Sequence, residues 1–109
     1  MTHKVFHGIQ HLDKIETATS VCFDTETLQL QPERGKLRLL QLGSGARNTV
    51  VLIDCFDLDK SEWVKLRRFF GSPVRYWLAH NAVFDLGWLQ EHDIYPHGWV
   101  RCSMLASRL

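Results

Sequence analysis

The hydrophobic pattern is strand-like in the first half of the chain and alternates between helix and strand in the second. Three runs, 20–25, 37–42 and 49–54, are apolar or alternating and rich in residues that favour strands. Polar stretches that contain Pro or Gly separate them. We expect these runs to form an antiparallel meander, preceded by a short edge strand at 4–7 and a short helix at 11–19.

The second half predicts a helix, a strand, a second helix, a short strand and the start of a third helix. We place these elements at 59–70, 74–79, 81–91, 99–100 and from 103 onward. Asp59 or Ser61 can cap the first helix, and Val83, Leu86 and Leu89 would face the core from the second, amphipathic one. The order indicates an α/β domain in which helices flank a mixed sheet, the meander plus parallel strands.

Composition is that of a soluble globular domain. The 109 residues, 45% hydrophobic and 23% charged, suffice for one domain with a core. A net charge of +1 excludes a strongly basic protein that coats nucleic acid, but not an enzyme that grips a few nucleotides. Three cysteines without a C-x-x-C pair suggest neither a disulfide framework nor structural zinc. Because no apolar run approaches the roughly 18 residues of a membrane span, we expect a cytoplasmic protein that does not contact membranes.

Two carboxylates lie at the end of the first long strand, in the sequence VCFDTETLQL of residues 21–30. Residues i and i+2 of a strand point to the same side. Asp24 and Glu26 should therefore converge, where like charges repel unless a cation lies between them. Mg²⁺ and Mn²⁺ take carboxylate oxygens and keep part of their water shell for a phosphate substrate. The alternative is a strand that ends in a polar, Thr-rich turn, and these residues alone leave both interpretations open.

A third carboxylate lies in the segment LAHNAVFDLGWL of residues 78–89. His80 and Asn81 mark a turn from strand to helix, with Asn81 as the expected N-cap and Asp85 in the early helical turns. The helix dipole alone favours a carboxylate at such a position. The two motifs together indicate a shared site. One is D-x-E at the end of a strand, and the other is N-x-x-x-D at the start of a helix that follows a second strand.

Together these segments resemble the DEDD superfamily of 3′–5′ exonucleases, in particular the proofreading domain of family A DNA polymerases and its relative ribonuclease D. FDTET is similar to the first exonuclease motif of the family and HNAVFDLGWL to the second. Residues 37–42 and 50–54 resemble the next two strands, and 101–109 resembles the start of a later helix. The resemblance covers nearly all of the chain from Val21 onward and implies a ribonuclease H-like fold.

The resemblance also implies an activity, the hydrolytic removal of nucleotides from the 3′ end of single-stranded DNA, with RNA as an alternative substrate. Asp24, Glu26 and Asp85 would be catalytic and would hold two Mg²⁺ or Mn²⁺ ions that bracket the scissile phosphate. Three further residues are implied to contact the substrate: Thr27, Leu30 and Asn81.

The chain departs from the family pattern because no third exonuclease motif follows Asp85 before Leu109. That motif would supply a fourth carboxylate, with a Tyr or His four residues before it. We therefore expect a C-terminally incomplete domain, whose partner would be its missing part or a DNA polymerase domain. The alternative is an inactive module that only binds nucleic acid or a polymerase. Cys102 stands where many relatives carry Asp, at a position that resembles a helix cap.

Tryptophan and histidine are the other conspicuous residue types. The tryptophans could stack on nucleobases, but they fall in elements that need a core, so we expect core or rim positions. They are Trp63, Trp77, Trp88 and Trp99. Histidines 3, 7 and 11 recur every four residues, and we expect them on a solvated face rather than in a metal site.

Overall fold

A computed structural model of the chain describes residues 4–27 and 37–102. Within them, six strands form one sheet in the order β1-β4-β3-β2-β5-β6. The strands are β1 Lys4–His7, β2 Ser20–Thr27, β3 Leu37–Ser44, β4 Thr49–Asp54, β5 Tyr76–Ala79 and β6 Val100–Cys102. Two α-helices, α1 Lys60–Gly71 and α2 Ala82–Gln90, and two 3₁₀ helices, Ile9–Lys14 and Cys55–Asp57, connect them. The helix predicted from 103 onward lies outside the described residues.

The mixed α/β architecture predicted from the sequence is confirmed. Strands β2, β3 and β4 form the antiparallel meander, whereas β1 pairs with β4, β5 with β2, and β6 with β5 in parallel. The predicted edge strand is β1. The first helix is shorter than expected and is a 3₁₀ turn, although Leu12 and Ile15 are buried as its pattern requires.

One face of the sheet carries the core. Phe23 of β2 and Trp77 of β5 project from it and meet Phe70 of α1. The rings of Phe70 and Trp77 stack with centroids 4.4 Å apart, and Phe23 meets Phe70 edge-on at 5.7 Å. Such aromatic pairs add about 0.5–1.5 kcal/mol each beyond the area they bury. The cluster fixes α1 across the centre of the sheet.

Helix α1 begins at a capping box built on Asp59, one of the two caps that the sequence predicts. The Asp59 carboxylate accepts a hydrogen bond from the Glu62 amide at 2.8 Å, and the Glu62 carboxylate accepts one from the Asp59 amide at 3.1 Å. Of the two predicted candidates, Asp59 is thus the cap, and the Ser61 hydroxyl donates to the Asp59 carboxylate at 2.7 Å. The reciprocal bonds satisfy two amides that a helix start otherwise leaves without partners.

Helix α2 differs from the prediction in which residues it buries. Val83, expected in the core, is 86% exposed, whereas Asp85 and Trp88 are 1% and 0% exposed. Leu89 is buried as expected, and Leu86 is half-buried. Because α2 is apolar around most of its circumference, spacing alone does not select the inward stripe. The packing of α2 against β2, β5 and β6 selects it instead.

The other face of the sheet, which we call the open face, remains largely exposed within the described residues. Cys22 of β2 and Tyr76 of β5 are exposed, and the apolar side chains Val50, Leu52 and Leu78 are only half-buried. Soluble domains seldom leave a continuous apolar sheet face uncovered.

The tryptophan prediction holds for three residues and fails for one. Trp77 and Trp88 are 1% and 0% exposed, and Trp63 is half-buried. Trp99, however, is 89% exposed and precedes the edge strand β6. Gly98 has a φ of 75°, which turns the chain immediately before Trp99.

Arg75, which sequence reasoning did not single out, is a buried cation at the start of β5, 5% exposed. Its guanidinium donates from Nη1 to the carbonyl of Phe69 and from Nη2 to the carbonyl of Glu16, the latter at 2.6 Å. It also lies over the Phe69 ring, with Cζ 4.0 Å from the ring centroid. Arg75 thereby joins the end of α1 to the segment that leads into β2.

His92 predicts a pH dependence of stability. Its ring stacks on Trp63 with centroids 4.5 Å apart, and burial is the main cause that lowers its pKa from the usual 6.5. As the pH falls, the unfolded chain therefore protonates His92 at a higher pH than the folded chain does. The contribution of neutral His92 to stability is complete above pH 6.5 and decreases as the pH drops toward the lowered pKa of the folded state. His92→Phe keeps a stacked ring but cannot be protonated. We expect its melting temperature to fall less than that of wild type between about pH 7 and 5.5. Equal losses in both proteins would contradict this role.

Candidate active site

Asp24 and Glu26 lie on the same side of β2, as the D-x-E spacing predicts. Both side chains are exposed on the open face, while Thr25 between them is 7% exposed and points to the core side. In the antiparallel register with β3, Asp24 is opposite Gln41 and Glu26 is opposite Leu39. The strand geometry thus presents two carboxylates at the end of β2, and their binding of a cation stays a prediction.

Asp85 approaches the same strand end from the core side. It lies in the first turn of α2, and its Oδ1 accepts a hydrogen bond of 2.5 Å from the Thr25 hydroxyl. Its Oδ2 is buried and has no hydrogen-bond partner among the described residues. Burial raises the pKa of Asp85; the Thr25 hydrogen bond opposes this rise, and the negative charge of Asp24 adds to it. Since helix-dipole stabilisation alone requires no burial, the dipole does not account for this placement.

Thr25 connects the two motifs. Its amide donates to Asp24 Oδ1 at 3.0 Å, and its hydroxyl donates to Asp85 Oδ1. Sequence reasoning missed this residue, although a polar side chain on the core side of a strand requires a partner. The fold therefore brings Asp24 and Asp85, separated by 61 positions in the chain, to one place.

Asn81 holds the N-cap position of α2, but its side chain makes no capping hydrogen bond, contrary to the prediction. Cys102 provides the cap instead. Its Sγ accepts a hydrogen bond from the Ala82 amide at 3.5 Å and donates one to the His80 carbonyl at 3.1 Å. The cause is the parallel pairing of β6 with β5, which places Cys102 beside the end of β5. Asn81 is half-buried, and its side chain has no role in the cap.

The remaining predicted substrate contacts are at the strand end. Thr27 is half-buried and follows a register shift at the end of β2. Leu30 lies outside the described residues. A shallow depression on the open face adjoins Asp24 and includes two polar residues that sequence reasoning did not assign, Gln41 and His80.

The donors can be compared with the metal ions that the resemblance implies. Over residues 4–27 and 37–102, no three His, Cys, Asp or Glu side chains form a group ready to hold a metal ion. Two features nevertheless fit a hard divalent cation. The available donors are carboxylates, which such ions prefer, and within the described residues the buried Oδ2 of Asp85 has no partner of the kind that a cation would provide. The residues therefore fit a cation site whose ligand set is incomplete in the described part.

Comparison with known proteins gives the family context. The sequence matches the family model described as 3′–5′ exonuclease over residues 3–109. Among solved structures, it is similar to Brucella melitensis NrnC with bound Mg²⁺, at 27% identity and a TM-score of 0.70, with 99% of this chain and 53% of that chain covered. For NrnC bound to pGG the identity is 26% and the TM-score 0.72, over 99% and 52% of the two chains.

Escherichia coli RNase D, an exoribonuclease involved in structured RNA processing, is similar in fold, with 18% identity and a TM-score of 0.73 over 98% of this chain and 28% of that one. The chain thus spans about half the length of the NrnC structures. No curated protein sequence matches it. None of the described helices is both long and apolar enough to cross a membrane.

Proposed function

Because the chain belongs to the 3′–5′ exonuclease family, we propose that it contributes a metal-binding carboxylate site to a domain that removes nucleotides from the 3′ end of single-stranded DNA. The observation that carries the proposal is that Thr25 joins exposed Asp24 to buried Asp85, whose second oxygen has no partner among the described residues. The similarity to NrnC bound to pGG supports a nucleic-acid substrate.

The three carboxylates would hold two Mg²⁺ or Mn²⁺ ions, which when bound lower the pKa of water and stabilise the charge on the leaving oxygen. Asp24 is proposed as the shared ligand, because Glu26 is on the same side of β2 and Thr25 links Asp24 to Asp85 through two hydrogen bonds. Without cations these charges repel a phosphate. Nucleic-acid binding at this strand end should therefore require a divalent metal.

Substrate contacts are proposed on both sides of the carboxylates. Thr27, at the end of β2, and Asn81, at the start of α2, border the site. Amides at the start of a helix favour phosphate oxygens, and the Asn81 side chain is not engaged in capping. Leu30 is proposed as the apolar contact for the terminal base, from its motif position alone.

Further polypeptide is proposed to complete the site by packing on the open face. The half-buried apolar side chains Leu39, Val50, Leu52 and Leu78 would then become fully covered. This polypeptide, the rest of the domain or a polymerase domain, would supply the fourth carboxylate and the Tyr or His that orients water. A cytoplasmic location stays a prediction.

Degradation of 5′-labelled single-stranded DNA with Mn²⁺ or Mg²⁺ tests the proposal. We expect a ladder shortened from the 3′ end, which disappears with EDTA and in Asp24→Ala. Asp13→Ala removes an equally exposed carboxylate far from the site and should leave the ladder unchanged. No cleavage of DNA or RNA by wild type with either metal would contradict the proposed activity.

RNA of the same sequence, assayed in parallel, tests the substrate. If nucleotides are released faster from RNA than from DNA, the substrate is assigned as RNA.

A nucleic-acid-binding module without catalysis is the second candidate. The incomplete ligand set among the described residues favours it. It predicts that fluorescence anisotropy detects oligonucleotide binding that survives both EDTA and Asp24→Ala. The exonuclease predicts binding that depends on both the metal and Asp24.

A further inference from the structure

Thr25 stands in the middle of the D-x-E sequence, yet its side chain points away from the two carboxylates that flank it. Thr25 is 7% exposed, whereas Asp24 and Glu26 are exposed on the opposite side of β2. A buried hydroxyl without a partner would destabilise the fold. Asp85 is the partner, at 2.5 Å.

The two hydrogen bonds of Thr25 hold one oxygen on each of two carboxylates. The backbone amide fixes Asp24 Oδ1 at 3.0 Å, and the hydroxyl fixes Asp85 Oδ1. Each bond uses Oδ1, so the second oxygen of Asp85 is left with no partner among the described residues. A carboxylate held at one oxygen has a defined direction for its other oxygen.

We propose that Thr25 is a positioning residue, which orients Asp24 through its amide and Asp85 through its hydroxyl so that the second oxygen of Asp85 is presented to a divalent cation. This inference rests on the proposed function. Thr25 itself does not contact the cation. The hydroxyl ties α2 to the end of β2, so the relative position of the two acidic motifs depends on it.

Two substitutions isolate the hydroxyl. Thr25→Val keeps the shape and the backbone amide but removes the donor to Asp85, whereas Thr25→Ser keeps the donor. Loss of a residue that orients a metal ligand typically weakens metal affinity about 10–100-fold. We therefore expect Thr25→Val to weaken Mn²⁺ binding to the 109-residue chain by that factor in calorimetry, and Thr25→Ser to remain within about 3-fold of wild type.

A control variant separates positioning from stability. Val21→Ala removes a buried side chain from the same face of β2, 0% exposed in the fold, without touching Asp85. We expect it to lower the melting temperature at least as much as Thr25→Val does. Its Mn²⁺ affinity should stay at the wild-type value, because a general loss of stability does not redirect a carboxylate.

The orientation of Asp85 can also be measured without metal. Three-bond couplings in NMR should show one χ1 rotamer of Asp85 in wild type, Thr25→Ser and Val21→Ala, and an average over rotamers in Thr25→Val. A single rotamer retained in Thr25→Val would overturn the proposal. The proposal would also be overturned if Thr25→Val kept the wild-type Mn²⁺ affinity while Asp24→Ala lost it.

The same experiments separate this proposal from the function on which it rests. A wild-type chain that binds no Mn²⁺ would contradict the metal site of the proposed function. The Asp85 rotamer would still decide whether Thr25 positions that side chain.

Discussion

Asp85→Asn should lower exonuclease activity by at least about 10²-fold and at the same time raise the melting temperature of the metal-free protein. Activity falls because a neutral amide is a poor ligand for a hard cation. Stability rises because Asp85 is 1% exposed and its Oδ2 has no partner in the described part of the chain. Removal of this buried charge should gain about 1 kcal/mol, roughly 4–8 °C for a domain of this size.

The gain depends on pH in a defined direction. Because burial raises the pKa of Asp85 above its usual 3.8, the cost of its charge is full above the raised value and disappears as the pH falls toward 3.8. Thermal unfolding of wild type and Asp85→Asn across this pH range measures how their difference in stability changes with pH. Glu91→Gln, an exposed neutralisation next to α2, should change neither activity nor stability. A metal-free Asp85→Asn protein less stable than wild type would contradict the buried-charge account.

Arg75→Met should destabilise the protein by about 2–4 kcal/mol. Methionine retains apolar volume but has no donors, so the carbonyls of Phe69 and Glu16 both lose their hydrogen bonds to the guanidinium. The cation over the Phe69 ring is lost as well. Urea unfolding should report the change as a lower midpoint with little change in slope.

Two further variants define the role of the guanidinium. Arg68→Met, at an exposed position of α1, should remain within about 0.5 kcal/mol of wild type. Arg75→Lys keeps the charge but not the planar fork that reaches two carbonyls, so an intermediate loss is expected. Equal stabilities of Arg75→Met and Arg68→Met would show that Arg75 does not join α1 to the segment before β2.

The sequence predicted those features that depend on local geometry. Strands β2, β3 and β4 follow from alternating or β-branched runs, and the common side of Asp24 and Glu26 follows from the two-residue period of a strand. The Asp59 cap of α1 is likewise local, since it accepts a hydrogen bond from the Glu62 amide three residues on.

Features that depend on contacts distant in sequence could not be predicted in the same way. The bond between Thr25 and Asp85 joins residues 60 positions apart, and the cap that Cys102 gives α2 spans 20. Val83 was misplaced because an almost wholly apolar helix carries no marked stripe. Arg75 was overlooked because its partners are backbone carbonyls, which leave no trace in the pattern of side chains.

We propose that Asp24, Glu26 and Asp85 contribute ligands to one divalent cation site. Anomalous diffraction from crystals soaked in Mn²⁺, with Asp24→Ala crystals as the control, tests it most directly. We expect anomalous peaks at about 2.0–2.5 Å from oxygens of Asp24, Glu26 and Asp85, absent in the variant. Crystals whose anomalous peaks all lie elsewhere, or whose peak at this place persists in Asp24→Ala, would contradict it.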